Sequence, residues 1–349
     1  MNTISEKRQT AIRELFPRGI PRLWCPLLTH YQSDGVVDFD RMSAHFHHIV
    51  PWVKGFLIPG STGDGWDLDE QETMQVAKFA LQQGQKQEIY LLLGALKRDT
   101  ESVQRTISGM LELIDPGDLT GDKALRMLKD RRVCGFTLCP PAGMTLTQAD
   151  METGLSSILE RGLPTALYQL PQVTLNEVSP ETFGKLVETY SNLVFFKDSS
   201  GQDRIATSAV DKGGVFLVRG AEGDYAAWLK EAGGPYAGFL LSTANCFARE
   251  LSILIGHLEK GDQKKAVEIS ARLTAAITEV FALVQPMPCG NAFTNANKAI
   301  DHFFAFGPGA DTKEGPMLHA KIRIPGHVLA ATGAVLRRME LMPVRGYLD

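Results

Sequence analysis

The chain has 349 residues, 44% of them hydrophobic and 22% charged, with a formal net charge of −4. Length alone suggests two domains, although α/β barrels of this size fold as one unit. The charges are spread evenly with no basic patch, which speaks against nucleic acid or an anionic membrane surface as a partner, and the longest apolar runs, such as 90–93, are strand-sized and far short of a membrane span.

Residues 1–18 are polar and carry Lys7, Arg8, Glu14 and Arg18, without the apolar stretch of a secretory signal. Five cysteines (Cys25, Cys134, Cys139, Cys246 and Cys289) are odd in number, widely spaced and free of any CxxC pair. They read as reduced core thiols of a cytoplasmic protein. His45, His47 and His48 cluster on an amphipathic helix, with no acidic or cysteine partner at metal-ligand spacing, so no metal is expected.

A short helix over about 4–15 leads the chain. Leu23 to Thr29 then reads as a strand, and Asp38 opens a helix to Val50. Gly55 to Pro59 is a second strand, ending in Gly60-Ser61-Thr62-Gly63-Asp64-Gly65. The helix after it, about 69–83, has Asp67 and Glu70 at capping-box spacing. Glu88 to Gly94 is a third strand, followed by a helix over 99–114. Asp115-Pro116-Gly117-Asp118 breaks that helix, and 121–130 forms a further short one. Val133 to Cys139 is the fourth strand, ending in Pro140-Pro141-Ala142-Gly143, with a helix over 147–161. Pro164 to Leu170 is the fifth, and Ser179-Pro180 caps the helix to Tyr190. Leu193 to Phe196, Val215 to Val218 and Ala237 to Leu241 are strands six to eight, each followed by a helical pattern.

Strands alternating with helices imply parallel βαβ units, and strands apolar on both faces suit a parallel sheet covered on both sides. Eight such units predict an α/β fold, a closed (β/α)₈ TIM barrel, with helical stretches over 245–260, 263–285 and 292–305 forming a C-terminal extension. The expected division is an N-terminal helix (1–18), the barrel (19–260) and a C-terminal helical extension packed on it (261–349).

In such a barrel the strand ends and βα loops share one face, where active sites form. Lys197 stands at the end of strand six in Phe196-Lys197-Asp198-Ser199-Ser200-Gly201. A lysine held at a dry strand end either loses its proton and becomes a nucleophile, or snorkels its charge to solvent. Tyr168, in Tyr168-Gln169-Leu170-Pro171 on the neighbouring strand, is either an aromatic core residue or a proton shuttle. The Gly60–Gly65 loop is either an ordinary ST-type turn or an anion cradle with Ser61 and Thr62 as hydroxyl donors. Without a Walker-type Gly-Lys-Ser/Thr, a small carboxylate suits it better than a phosphate.

These segments resemble the motifs of the dihydrodipicolinate synthase / N-acetylneuraminate lyase family. Gly60-Ser61-Thr62-Gly63-Asp64 is similar to its Gly-Ser/Thr-Thr-Gly-Glu signature and Tyr168-Gln169-Leu170-Pro171 to its Tyr-Asn-x-Pro motif. The Lys197 segment resembles its Schiff-base motif, and Leu241-Ser242-Thr243-Ala244-Asn245 its Ser-x-Thr-Ala-Asn segment. The match runs in order from about residue 19 to 300. The resemblance implies a barrel with C-terminal helices, commonly a homo-oligomer (a dimer, or a tetramer built from dimers). It implies a class I aldolase or dehydratase that acts on a 2-keto acid, such as a 2-keto-3-deoxy sugar acid, or that uses pyruvate as donor to an aldehyde. No metal or organic cofactor is implied, only a covalent imine between lysine and substrate.

Carried over, Lys197 forms the imine, Tyr168 relays protons, and Ser61 and Thr62 hold the substrate carboxylate. Gly220 and Ser242 line the site, and Glu222 either faces a polyol chain or is a solvated glutamate at a helix start. Two departures stand out. Val173 occupies the place of an arginine that dihydrodipicolinate synthases proper carry, and Pro141-Ala142 the place of a tyrosine pair. Both argue against lysine-biosynthetic activity, which remains the alternative. A non-catalytic sugar-acid binder on the same barrel is the alternative from another class. The insertion 114–123 and the 140–143 loop are expected to reshape the pocket rim.

Overall fold

The computed structural model describes residues 3–117 and 121–349. Eight parallel strands close into a barrel in sequence order: β1 (Leu23–Cys25), β2 (Gly55–Ile58), β3 (Tyr90–Gly94), β4 (Val133–Leu138), β5 (Thr165–Gln169), β6 (Leu193–Asp198), β7 (Phe216–Arg219) and β8 (Gly238–Leu240). β1 pairs with β8 through Leu23 opposite Phe239 and Trp24 opposite Leu240, which closes the ring. Asn245, just past β8, reinforces that seam. Its Oδ1 accepts from the Leu28 amide, and its Nδ2 donates to the Pro26 and Ser242 carbonyls at 2.9 Å each.

Successive strand side chains point to opposite faces, so each strand feeds two cores. At least one residue from every strand (Trp24, Leu57, Leu92, Cys134, Ala166, Phe195, Val218, Leu240) enters a cluster inside the barrel. Gly55 makes room for this layer, because a Cβ there would lie 2.2 Å from the Trp24 ring. The alternate residues, among them Phe56, Leu93, Phe136, Leu167, Phe196 and Phe239, join the larger cluster shared with the surrounding helices.

The leading helix, Thr3–Leu15, plugs the N-terminal end of the barrel with Ile12 and Leu15, and Phe16 follows just after it. Arg8 fastens it there. Fully buried, it donates from Nε to the Leu193 carbonyl at 2.8 Å and from Nη2 to the Tyr190 carbonyl at 2.9 Å, at the start of β6.

Several boundaries differ from expectation. β1 stops at Cys25 because residues 26–29 turn into the barrel mouth, with Thr29 Oγ1 donating to the Gly63 carbonyl at 2.7 Å. The capping box of Glu70–Lys86 is built on Asp69 and Glu72, two residues later than Asp67 and Glu70. The helices after β6 and β7 shrink to single turns, Arg204–Thr207 and Tyr225–Trp228. The C-terminal helices are Ala248–Glu259, Gln263–Val284 and Ala292–Phe306, with a further helix, Gly326–Arg338, that no sequence signal had marked.

The insertion 114–123 lies partly outside the described residues. Its flanks belong to Thr100–Ile114 and Gly121–Asp130, both preceding β4, and Leu125 packs on the inner core beside the leading helix. These flanks therefore sit at the closed end of the barrel, away from the rim they were expected to reshape.

Candidate active site

Inside the barrel the alternation that places Ala166 and Phe195 in the inner core places Tyr168 and Lys197 two residues further toward the mouth. Strand register sets them side by side, Tyr168 opposite Lys197. Lys197 is 3% exposed, and its Nζ lies 3.9 Å from the centre of the Tyr168 ring. Burial lowers the Lys197 pKa to about 7, although nearby groups including Glu222 pull it the other way. Burial also pushes the Tyr168 phenol up, against a hydrogen bond with the Ser199 side chain, so the phenol keeps its proton at neutral pH. The site thus pairs a lysine that readily becomes a neutral amine with a phenol that stays an acid.

Ser61, Thr62, Tyr168, Lys197, Gly220 and Ser242 line one small cavity together with Ser199 and Phe293. Gly220 is required by space: a Cβ there would fall 2.6 Å from Lys197 Cε and 2.1 Å from Ser199 Oγ. Ser61–Gly63 forms a 3₁₀ turn at the end of β2, and its carbonyls are bonded on the far side. Asn291 Nδ2 donates to Ser61 O at 3.3 Å and Thr294 Oγ1 to Thr62 O at 3.0 Å. Asp64 closes the turn at φ 60°, and its Oδ2 accepts from Tyr31 Oη at 3.0 Å and Lys298 Nζ at 2.9 Å.

Glu222 takes neither role expected of it. It is absent from the cavity lining, and its carboxylate is filled by Ser242 Oγ (2.6 Å), Thr243 Oγ1 (2.7 Å), Tyr225 Oη (2.8 Å) and the Thr243 amide (3.1 Å). It latches the β7 loop to the end of β8. Arg219 holds the same loop, donating to the Ala221 and Gly223 carbonyls while paired with buried Asp203 at 3.1 Å.

The histidine cluster also looks different in three dimensions. His45 turns inward to His30 (Nδ1 to Nε2, 3.1 Å), and Asp301 from a C-terminal helix joins them. These three offer metal-capable atoms within 4.8 Å of one another, a grouping that the spacing in sequence could not disclose. Their atoms are already engaged: His45 Nε2 donates to the Asn245 carbonyl at 2.8 Å, and Asp301 Oδ2 accepts from Arg41 at 2.6 Å. Burial lowers both imidazole pKa values. The arrangement is a satisfied buried network.

A model of the dihydrodipicolinate synthetase family matches residues 128–296, the stretch holding Tyr168, Lys197, Gly220 and Ser242. Over that stretch, just under half of its length, the chain is similar to this family. A 4-hydroxy-tetrahydrodipicolinate synthase of Agrobacterium fabrum is 26% identical over 282 residues, covering 80% of this chain and 87% of that protein. One from Rhizobium meliloti is 23% identical over 331 residues, covering 94% and 100%. Among solved structures, dihydrodipicolinate synthase from Thermotoga maritima superposes with a TM-score of 0.71 at 18% identity, covering 93% of this chain and 99% of that one. A prophage protein of the same family from E. coli K12, solved in complex with pyruvate, gives 0.71 at 18%, covering 92% and 99%. These structural likenesses establish the shared fold.

The proteins of that family are class I lyases working through a lysine imine. Sequence reasoning missed Ser199, Phe293 and Lys298. Ser199 lies two residues from Lys197 and was open to inspection; Phe293 and Lys298 arrive on a helix about a hundred residues away, with no local signal. Among the described residues, no helix is long and apolar enough to cross a membrane.

Proposed function

We propose that this protein forms an imine between Lys197 and a 2-keto acid, with pyruvate or a 2-keto-3-deoxy acid as the ligand class. The observation that carries the reading is the buried Lys197, its pKa lowered to about 7, beside Tyr168 and across the cavity from the Ser61-Thr62 turn. A neutral amine attacks the 2-keto carbon, and the carboxylate of the substrate, held by the Ser61 and Thr62 hydroxyls, fixes the carbonyl for that attack. Tyr168 supplies a proton as water leaves the carbinolamine. The protonated imine then withdraws electrons from C3, so that the C3–C4 bond breaks or forms, or a hydroxyl leaves. The iminium is itself the electron sink, so this reading calls on no metal or organic cofactor.

Borohydride added with pyruvate should reduce the imine and add the pyruvyl mass to the peptide holding Lys197. An unlabelled Lys197 peptide, under conditions that label a known family member, would sink the reading. Lys197→Ala should abolish both labelling and turnover. Tyr168→Phe should cost on the order of 10²–10⁴-fold in rate. The names of the relatives favour dihydrodipicolinate synthesis as a second reading, which a coupled assay with aspartate semialdehyde tests directly. Against it stands Val173, whose apolar side chain packs toward Leu96, Cys139 and Tyr168 where that activity calls for an arginine.

A further inference from the structure

The residues lining the cavity stand on barrel strands or on the loops that follow them, with one exception. Phe293 comes from the first turn of the helix Ala292–Phe306. The residues on either side of it fix where it sits. Asn291 Nδ2 donates to the Ser61 carbonyl at 3.3 Å and Thr294 Oγ1 to the Thr62 carbonyl at 3.0 Å. Phe293 is therefore carried to the Ser61-Thr62 end of the cavity, the end that holds the substrate carboxylate.

The cavity is small. The volume open to the centre of a water molecule is about 10 Å³, room for about one water and too little for even a three-carbon keto acid. Part of the wall therefore yields when a ligand enters, and most of the wall is held. Tyr168 and Lys197 lie opposite each other on paired strands, and Ser199 is hydrogen-bonded to Tyr168. Ser242 Oγ donates to Glu222 at 2.6 Å, and the Ser61–Gly63 turn is braced through its carbonyls. Phe293 differs from all of these. It is half-buried, its side chain has no polar atom to anchor it, and its ring meets Phe281 edge-on with the centroids 5.4 Å apart. Asn291 Oδ1 accepts from the Thr294 amide at 2.8 Å and pins the backbone around it, so the ring swings and the helix stays.

We infer that Phe293 covers the carboxylate end of the site: its ring turns aside to admit a 2-keto acid and returns over the carboxylate, so that the site takes free 2-keto acids and turns away their esters and amides. The inference rests on the imine reading above and narrows the ligand class of that same site. Under the ring, water is excluded and the effective dielectric is lower. The hydrogen bonds from the Ser61 and Thr62 hydroxyls to the carboxylate are strengthened there, since bonds to a charged acceptor gain most. An ester has no charge for those hydroxyls to hold, and its alkyl group competes with the ring for the same space. Phe293 thus acts in binding and moves neither a proton nor an electron pair.

The test uses the whole chain and mass spectrometry of the Lys197 peptide after borohydride reduction. Pyruvate comes first; a wild-type protein left unlabelled overturns the imine reading itself, and this inference falls with it. With labelling in hand, its rate is followed against the concentration of pyruvate and of methyl pyruvate for the wild type, Phe293→Ala and Phe293→Leu. At equal low concentration the wild type should favour pyruvate over methyl pyruvate at least about tenfold, the size of discrimination that one pocket contact supplies. In Phe293→Ala the half-saturating pyruvate concentration should rise at least about tenfold, with a smaller change in the rate at saturation. Its preference for pyruvate over the ester should fall toward one. Phe293→Leu, which covers part of the same area, should lie between the two. It carries the comparison alone if the circular dichroism of Phe293→Ala is not native. A wild type that labels equally with the ester overturns the inference and leaves the imine reading standing. Variants that keep the wild-type preference, or that lose only the rate at saturation, do the same.

Discussion

Lys197 draws its reactivity from where its strand ends. Burial disfavours the ammonium, which is why its pKa falls to about 7, and the neutral form is the nucleophile. Protonation below that value removes the nucleophile, so the rate of pyruvate trapping should climb with pH through about 7 and flatten above about 8. A stopped-flow or quench series from pH 5.5 to 9.5 checks this; a rate still climbing at pH 9.5 means a lysine of ordinary basicity. Gly220 guards the same geometry. Gly220→Ala places a Cβ within 2.6 Å of Lys197 Cε, and a displacement of about 1 Å at a reacting group costs on the order of 10²-fold. Trapping by that variant should fall by roughly 10–100-fold while its circular dichroism stays native, and an unchanged rate would show that the lysine has slack. Lys197, Tyr168, Ser61 and Thr62 were all legible in the sequence, because strand ends converge on one face in any barrel. The state of Glu222 was not legible: only folding shows that four donors have filled its carboxylate.

The decisive element beyond the barrel strands is the helix Ala292–Phe306. Its helical period was readable, and polar residues on a helix are most often exposed. Instead Thr294, Asn297, Lys298 and Asp301 are buried, because the helix lies behind the Ser61–Gly63 turn and supplies the hydrogen bonds that the turn's carbonyls need. Lys298 anchors this contact through Asp64, with both side chains almost wholly removed from solvent. Removing one partner of such a pair leaves a buried charge unmatched, a loss of about 3–5 kcal/mol. Lys298→Met should therefore lower unfolding stability by that amount in urea titrations. The double variant Lys298→Met with Asp64→Asn should recover part of it. A loss below about 1 kcal/mol for the single variant would mean that Tyr31 alone satisfies Asp64. The short turns after β6 and β7 have a related lesson. Both segments carry apolar residues at helical spacing, yet buried Arg219, bound to Asp203 and to the 221 and 223 carbonyls, sets the path of the second loop in place of a helix.

Across the whole molecule, stability and chemistry occupy opposite ends of one barrel. The closed end is a layer of side chains from all eight strands sealed by the leading helix; Trp24 within it is fully buried and stacks edge-on to Phe195 at 5.1 Å. Trp24→Ala should cost about 3–5 kcal/mol of stability. The folded fraction should still label at Lys197 with pyruvate at near wild-type rate, since Trp24 belongs to the inner layer and does not line the cavity. A large drop in labelling per folded molecule would show that the two ends are coupled. The sequence by itself determined the alternation of eight strands with helices, the closed parallel barrel and the strand-end residues, since hydrophobic period and turn chemistry are local properties. It also marked Lys197 as a candidate nucleophile, because a lysine ending an apolar strand is recognisable along the chain. Only the tertiary structure decided which polar groups remained available for a ligand. Asp64, Glu222 and the His30–His45–Asp301 group all look equally free along the chain. Each is occupied by partners brought from distant segments, whereas the buried indole nitrogen of Trp66 has no partner among the described residues. Hydrogen-bond satisfaction is a property of the packed interior, and it is settled only when distant elements meet.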